Sequence, residues 1–189
     1  LWYAQKIGAT HLVDIATLTG AISVALGKFT SGLFGTPPAW AEQVRAVAER
    51  AGDRCWPMPR YEEYRELLKS DIADMINAPG RHGGAITAAL FLKEFTGGLP
   101  WPHMDIAGTA WVEEVRPYIL KGSAGIGDST LAELAFTASP CPVRPQPDIL
   151  GWTHLSVRST FPLILGWSEP QRLASLCFFM WCVASLVRS

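Results

Sequence analysis

The chain contains no Cys-x-x-Cys pair, no Gly-x-Ser-x-Gly elbow, no complete phosphate-binding loop and no run of basic residues. Each absence removes a class of function. The four cysteines, Cys55, Cys141, Cys177 and Cys182, have neither zinc-knuckle nor redox spacing, which fits a reducing compartment. Without a nucleophile elbow or a thiol in an activating context, Ser or Cys nucleophilic catalysis has no candidate. The glycines of Gly122-Ser123-Ala124-Gly125-Ile126-Gly127 follow no clear strand, and around Gly27-Lys28 the first Walker glycine is replaced by Ile22 and the Ser or Thr by Phe29. Neither stretch reads as a nucleotide site. A net charge of −1, with sixteen scattered Lys and Arg, gives no electrostatic reason to expect nucleic acid.

No Met opens the chain, and Leu1-Trp2-Tyr3-Ala4-Gln5-Lys6 ahead of Gly8 reads as the last turns of a helix rather than as a signal peptide. The chain is expected to start inside an element. Past Ala138 the composition shifts: Pro140, Pro142, Pro145 and Pro147 crowd together, Lys disappears, and an uncharged apolar run covers 173–187. That run is shorter than the ~20 residues needed to cross a bilayer. A buried helix, an interfacial segment and an unrelated appended sequence are the open readings, the last being favoured, and no membrane role is expected.

What the chain does have is a hydrophobic share of 49% against 17% charged in 189 residues, enough for one domain with a core. Two apolar runs, His11 to Ala16 and Pro102 to Ala107, break into small residues at Thr17-Leu18-Thr19-Gly20 and Gly108-Thr109-Ala110. Strand ends of this kind, in an open α/β sheet, flank the ligand crevice. A short helix is expected over Ala21 to Leu26 and a second from Pro37-Pro38 to Ala51, closed by Gly52, with Trp40, Val44, Val47, Ala48 and Ala51 at helical spacing. Tyr61 to Lys69 is expected as an amphipathic helix, Asp71 to Ile76 as a strand, and Ala85 to Phe95 as a helix apolar almost all round. Alternating strands and helices predict an α/β fold whose sheet is mainly parallel and flanked by helices.

Several polar residues invite a functional reading. His103 and Asp105 lie two apart on a strand and share a face, with His82, Asp71 and Asp74 elsewhere, but three converging ligands with an open position are not evident, so a structural role is preferred. His103 is expected as a hydrogen-bonded histidine at a sheet edge. Asp14, a carboxylate inside an apolar strand, needs donors and is expected to hold the turn that follows it. The Thr17–Gly20 turn can be a plain strand-to-helix connection, or a place where exposed backbone groups bind a peptide main chain whatever its side chains.

Taken in order, His-Leu-Val-Asp-Ile-Ala-Thr-Leu-Thr-Gly-Ala (11 to 21), Ser-Asp-Ile-Ala-Asp-Met-Ile-Asn (70 to 77), Gly-Gly-Ala-Ile-Thr-Ala-Ala-Leu-Phe-Leu-Lys (83 to 93), Asp-Ile-Ala-Gly-Thr-Ala-Trp (105 to 111) and Pro-Tyr-Ile-Leu-Lys-Gly (117 to 122) resemble the carboxyl-terminal part of the catalytic domain of the leucyl aminopeptidases, the cytosol aminopeptidase family. The resemblance covers residues 1–138 and leaves 139–189 outside it. It implies an incomplete catalytic domain, a peptide substrate, a cytoplasmic setting and homohexameric assembly. It also implies that backbone groups of Leu18 and Gly20 contact the substrate main chain, while Thr17, Gly20, Ala107 and Ala110 line the pocket for the amino-terminal side chain. Ala110 stands where some members carry Met.

The family's chemistry uses two divalent metal ions, manganese or zinc, that activate a bridging water and polarise the scissile carbonyl. Its metal-binding Asn-Thr-Asp-Ala-Glu-Gly-Arg motif is not in this chain. The resemblance therefore implies a metalloaminopeptidase fragment that carries the substrate pocket without the metal ligands and is inactive alone. The alternative is a non-catalytic interaction protein that associates with a full-length aminopeptidase. Asp128-Ser129 also replaces a Val-Arg pair that usually precedes Thr-Leu, which would weaken the last helix. Half a sheet would expose apolar edges, and aggregation or partner dependence is expected.

Overall fold

The computed structural model describes residues 1–115, 117 and 119–137. The Pro-rich stretch and apolar tail lie outside the described residues. Along the chain the elements are α1 (Trp2–Lys6), β1 (Asp14–Ala16), α2 (Gly20–Leu26), β2 (Ser31–Thr36), α3 (Pro38–Ala51), β3 (Cys55–Pro57), a 3-10 helix (Glu62–Leu68), α4 (Gly84–Lys93), β4 (Trp101–Asp105), β5 (Trp111–Val112), β6 (Gly122–Ser123) and α5 (Asp128–Thr137). Four strands form one sheet in the order β1-β4-β2-β3, and β5 pairs with β6 in a separate ribbon. β1 runs parallel to β4 and β2 parallel to β3, while β2 and β4 are antiparallel. The result is the α/β architecture expected, a mixed sheet with mostly parallel strands between helices.

Alternation along each strand divides the core between the two faces of the sheet. Phe34 and Trp101 join Ile22, Leu68, Ala89 and Leu90 on the side covered by α1, α2, α4 and the 3-10 helix. Ile15, Leu33 and Met104 join Val44, Val47 and Leu134 on the side covered by α3 and α5. α3 follows its sequence pattern: Trp40, Val44, Val47 and Ala48 are buried, and Gly52 ends it in the left-handed conformation at φ 86°. At the far end, the buried Asp53 carboxylate accepts from the Gly127 and Thr130 amides, at 3.2 Å each, and from Thr130 Oγ1 at 2.6 Å. These bonds tether the start of α5 beside α3.

Two strands of the four-stranded sheet, β2 and β3, have no counterpart in the sequence expectations, nor does the β5–β6 ribbon, and one expected strand is absent. β2 carries Gly32 and Gly35, which lower strand propensity but are required by packing: a Cβ at Gly32 would lie 2.5 Å from Ile22 Cδ1, and one at Gly35 2.6 Å from Ala41 Cβ. β3 is a three-residue edge strand ending in Pro57. Asp71 to Ile76 forms bends instead of the expected strand. Ser70 Oγ accepts from the Ile72 and Ala73 amides, and Ile76 donates to the Leu68 carbonyl at 2.8 Å, which curls the segment into a turn with Ile72 98% exposed. Local side-chain bonding has overridden the alternating pattern.

Burial pushes the Cys55 thiol up to about 11. In the unfolded chain it ionises near ~8.5, so its contribution to stability is whole below that pH and is lost as pH climbs towards 11. The denaturation midpoint of the parent chain is expected to fall over that window, and Cys55→Ala to lack this component. Matching pH slopes for the two chains in urea titrations would contradict it.

Candidate functional site

The register of β1 on β4 pairs Asp14 with His103, Ile15 with Met104 and Ala16 with Asp105, so both strands stop side by side at one end of the sheet. The Ile106 amide adds one more bond, 2.9 Å to the Ala16 carbonyl. Beyond that point the Asp105 carboxylate organises both turns. Its Oδ1 accepts from the Leu18 amide at 3.2 Å, the Thr19 amide at 3.4 Å and the Ala107 amide at 3.2 Å. Its Oδ2 accepts from Thr19 Oγ1 at 2.6 Å, and that hydroxyl oxygen in turn accepts from the Ile22 amide at 3.2 Å, capping α2. Asp105 is 1% exposed, and these donors replace the water that an ionised carboxylate loses on burial.

This arrangement brings together the two places the sequence singles out. Leu18 and Ala107 donate to one carboxylate oxygen. Ala110 closes the second turn, donating to the Ile106 carbonyl at 2.9 Å and accepting from Ala124 at 2.9 Å. Gly108 packs directly on the end of α2: a Cβ there would lie 2.1 Å from the Gly27 carbonyl oxygen. Beside the first turn opens a cleft of about 740 Å³, walled by Leu18, Gly20 and Val24 on one side and by Asn77, Arg81 and Ala85 on the other. Thr17, Ala107 and Ala110 are not among the residues lining it; Thr17 is exposed at the end of β1, and the two alanines are half-buried.

Two expectations are corrected. β4 lies between β1 and β2, so His103 is central and fully buried, not at a sheet edge. Asp14 does not hold the turn that follows it. Its carboxylate accepts from Trp101 Nε1 and His103 Nδ1, because the parallel register places it opposite His103 on the face that alternation gives to Trp101, His103 and Asp105. Asp105, from the distant strand, holds that turn. The sequence signal for this role was present, a carboxylate at the last position of β4, but the pairing that aims it at residues 18 and 19 was not. The 77–88 wall of the cleft was likewise missed, its hint being the glycines around Arg81.

Among the described residues no group of three or more His, Cys, Asp or Glu side chains could hold a metal ion. Asp71, Asp74 and His82 are exposed on the surface, and Asp105 is occupied by amides. The described residues therefore do not fit a two-metal centre, and no chemical step is assigned through one. Among them, too, no helix is long and apolar enough to cross a membrane.

Residues 1–132 match the model of the cytosol aminopeptidase family, catalytic domain. The chain belongs to the cytosol aminopeptidase family. It is 54% identical over 135 residues to a probable cytosol aminopeptidase of Solibacter usitatus, covering 71% of this chain and 28% of that protein. To the probable cytosol aminopeptidase of Koribacter versatilis it is 49% identical over 134 residues, covering 71% and 26%. Among solved structures it is similar to a mutant of tomato leucine aminopeptidase, at 46% identity and a TM-score of 0.66, over 70% of this chain and 26% of that one. It is also similar to the bottromycin maturation enzyme BotP in complex with Mn, at 40% identity and a TM-score of 0.63, over 66% and 28%. The chain thus spans between a quarter and a third of the length of these relatives.

The geometry separates two glycines of the site. Gly108→Ala is expected to lower stability by ~2 kcal/mol or more, since backbone must move to admit the methyl group. Gly20→Ala, with nothing within 4 Å of its Cβ position, is expected to stay within ~0.5 kcal/mol of the parent. Chemical denaturation of both variants checks this, and equal losses would contradict the packing described.

Proposed function

We propose that this chain is the substrate-holding part of a metal-dependent, leucyl-type aminopeptidase that releases amino-terminal residues from peptides. The observation that carries the reading is the convergence of the Leu18 and Ala107 amides on Asp105. With those N–H groups engaged, the Leu18 carbonyl and the Gly20 N–H remain without a hydrogen bond among the described residues, at the mouth of the cleft. A carbonyl and an N–H displayed two residues apart can pair with the main chain of an extended peptide, as an added strand does, without regard to its side chains.

Thr17, Gly20, Ala107 and Ala110 would flank the amino-terminal side chain, and small residues there leave room for a leucine-sized group. The turn's own contribution is orientation: it arrives rigid, because Asp105 and the Thr19 cap have already ordered it. The manganese or zinc ions of this chemistry would be held by groups other than those described. The relatives' description as cytosol aminopeptidases supports a cytoplasmic setting. Assembly as a homohexamer rests on the family resemblance.

Titrating a leucyl dipeptide into the isotope-labelled chain is expected to shift the amide signals of Gly20 and its neighbours at millimolar peptide, and Gly20→Leu to abolish the shift. A response absent from residues 17–20 would overturn the reading. With added manganese and a leucyl chromogenic substrate, the chain alone is expected to show no turnover; hydrolysis would place the cutting groups within it.

A further inference from the structure

Asp14, His103 and Trp101 are 4%, 0% and 0% exposed, and none of them reaches the cleft. Trp101 Nε1 donates to one oxygen of Asp14, and His103 Nδ1 shares a hydrogen bond with the other, donating to it where Asp14 is a carboxylate. The far nitrogen of His103, Nε2, has no hydrogen-bond partner among the described residues. The imidazole stacks between Phe34 and Trp101, each ring centroid 6.2 Å away, with planes inclined by 25° and 13°. Closed in by aromatic rings, the group is shaped to hold position, not to bind.

We infer that Asp14, His103 and Trp101 form a register lock between β1 and β4, and that they act as positioning residues for the turn at Leu18 through Asp105. The β1–β4 ladder pairs only Asp14 to Ala16 with His103 to Asp105, with one backbone bond beyond each end, from Leu12 to the Pro100 carbonyl and from Ile106 to the Ala16 carbonyl. Backbone bonds are the same for every side chain, so they do not single out this register alone. A slip of one residue would turn Ile15 from the apolar face. A slip of two would keep every side chain on its own face, so burial alone does not forbid it. What forbids it is Asp14, whose two oxygens serve donors two residues apart on β4, an arrangement met in one register. That register sets Ala16 opposite Asp105 and lets a single carboxylate reach the amides at 18, 19 and 107.

The lock rests on the proposed function only in calling the turn a peptide-holding one, and the test requires no peptide. In the full 189-residue chain, backbone amide exchange is measured at Leu18, Ile106 and Ala107, with Gly127 and Thr130, which Asp53 holds, as the reference. His103→Phe keeps a flat ring but loses the donor. Exchange at the first set is expected to quicken about tenfold or more while the reference changes less than about twofold. His103→Asn, which returns an N–H near the Nδ1 position, is expected to restore most of the protection, and Trp101→Phe to reproduce the His103→Phe pattern. In the parent chain, the Trp101 indole and His103 Nδ1 protons are expected as slowly exchanging NMR signals, a measurement that needs no variant to fold. Uniform acceleration across both sets, unchanged protection at Leu18 and Ala107, failure of Asn to rescue, or rapid exchange of the two ring protons would overturn the lock. A parent chain that shows the lock yet ignores leucyl dipeptide would instead overturn the proposed function.

Discussion

A buried carboxylate without a cation must find its stabilisation in donors, and the placement of Asp105 turns that requirement into architecture. Three backbone amides and one hydroxyl meet on it, drawn from two turns that are 86 to 87 residues from Asp105 on one side and two on the other. Removing any one donor would leave charge uncompensated in a low-dielectric interior, so the turns are held together more tightly than loop backbone usually is. The cap on α2, the mouth of the cleft and the seat of Gly108 on the end of α2 all follow from where that carboxylate sits.

Asp105 can do this only because β1 and β4 end together. The same face of β4 presents Trp101, His103 and Asp105 in succession, and the first two engage Asp14 on the neighbouring strand. One row of side chains thus carries two buried carboxylate clusters, each composed of hydrogen bonds in place of ion pairs with Lys or Arg. The opposite face of β4 is apolar, with Met104 packed against α3 and α5. The two carboxylate clusters thus lie along a face that also carries the core of Phe34, Trp101 and Leu90, while the other face is apolar.

Much of the helical framework was legible from periodicity. α3 buries Trp40, Val44, Val47 and Ala48 as its pattern selects, because a helix face is a local property of a continuous segment, and α4 forms within the stretch that is apolar almost all round. β2 was illegible for the opposite reason. Its glycines argue against a strand until Ile22 and Ala41 are known to press on them, and both contacts come from the flanking helices α2 and α3, whose packing onto β2 is a matter of tertiary structure. The 71–76 segment shows the reverse error, where an alternating pattern was available but Ser70 bonded to the backbone first and no neighbouring strand lay open to it.

From the residues alone came the family, the α/β class and the attention paid to Leu18 and Ala107, since motifs and strand ends are contiguous stretches of chain. Which carboxylate serves which turn was decided only in three dimensions. Asp14 and Asp105 look alike in sequence, each opening an Asp-Ile-Ala triplet. Parallel pairing set one opposite a histidine and the other beside a free row of amides, and hydrogen-bond partners are chosen by distance in space, a quantity that no local pattern contains.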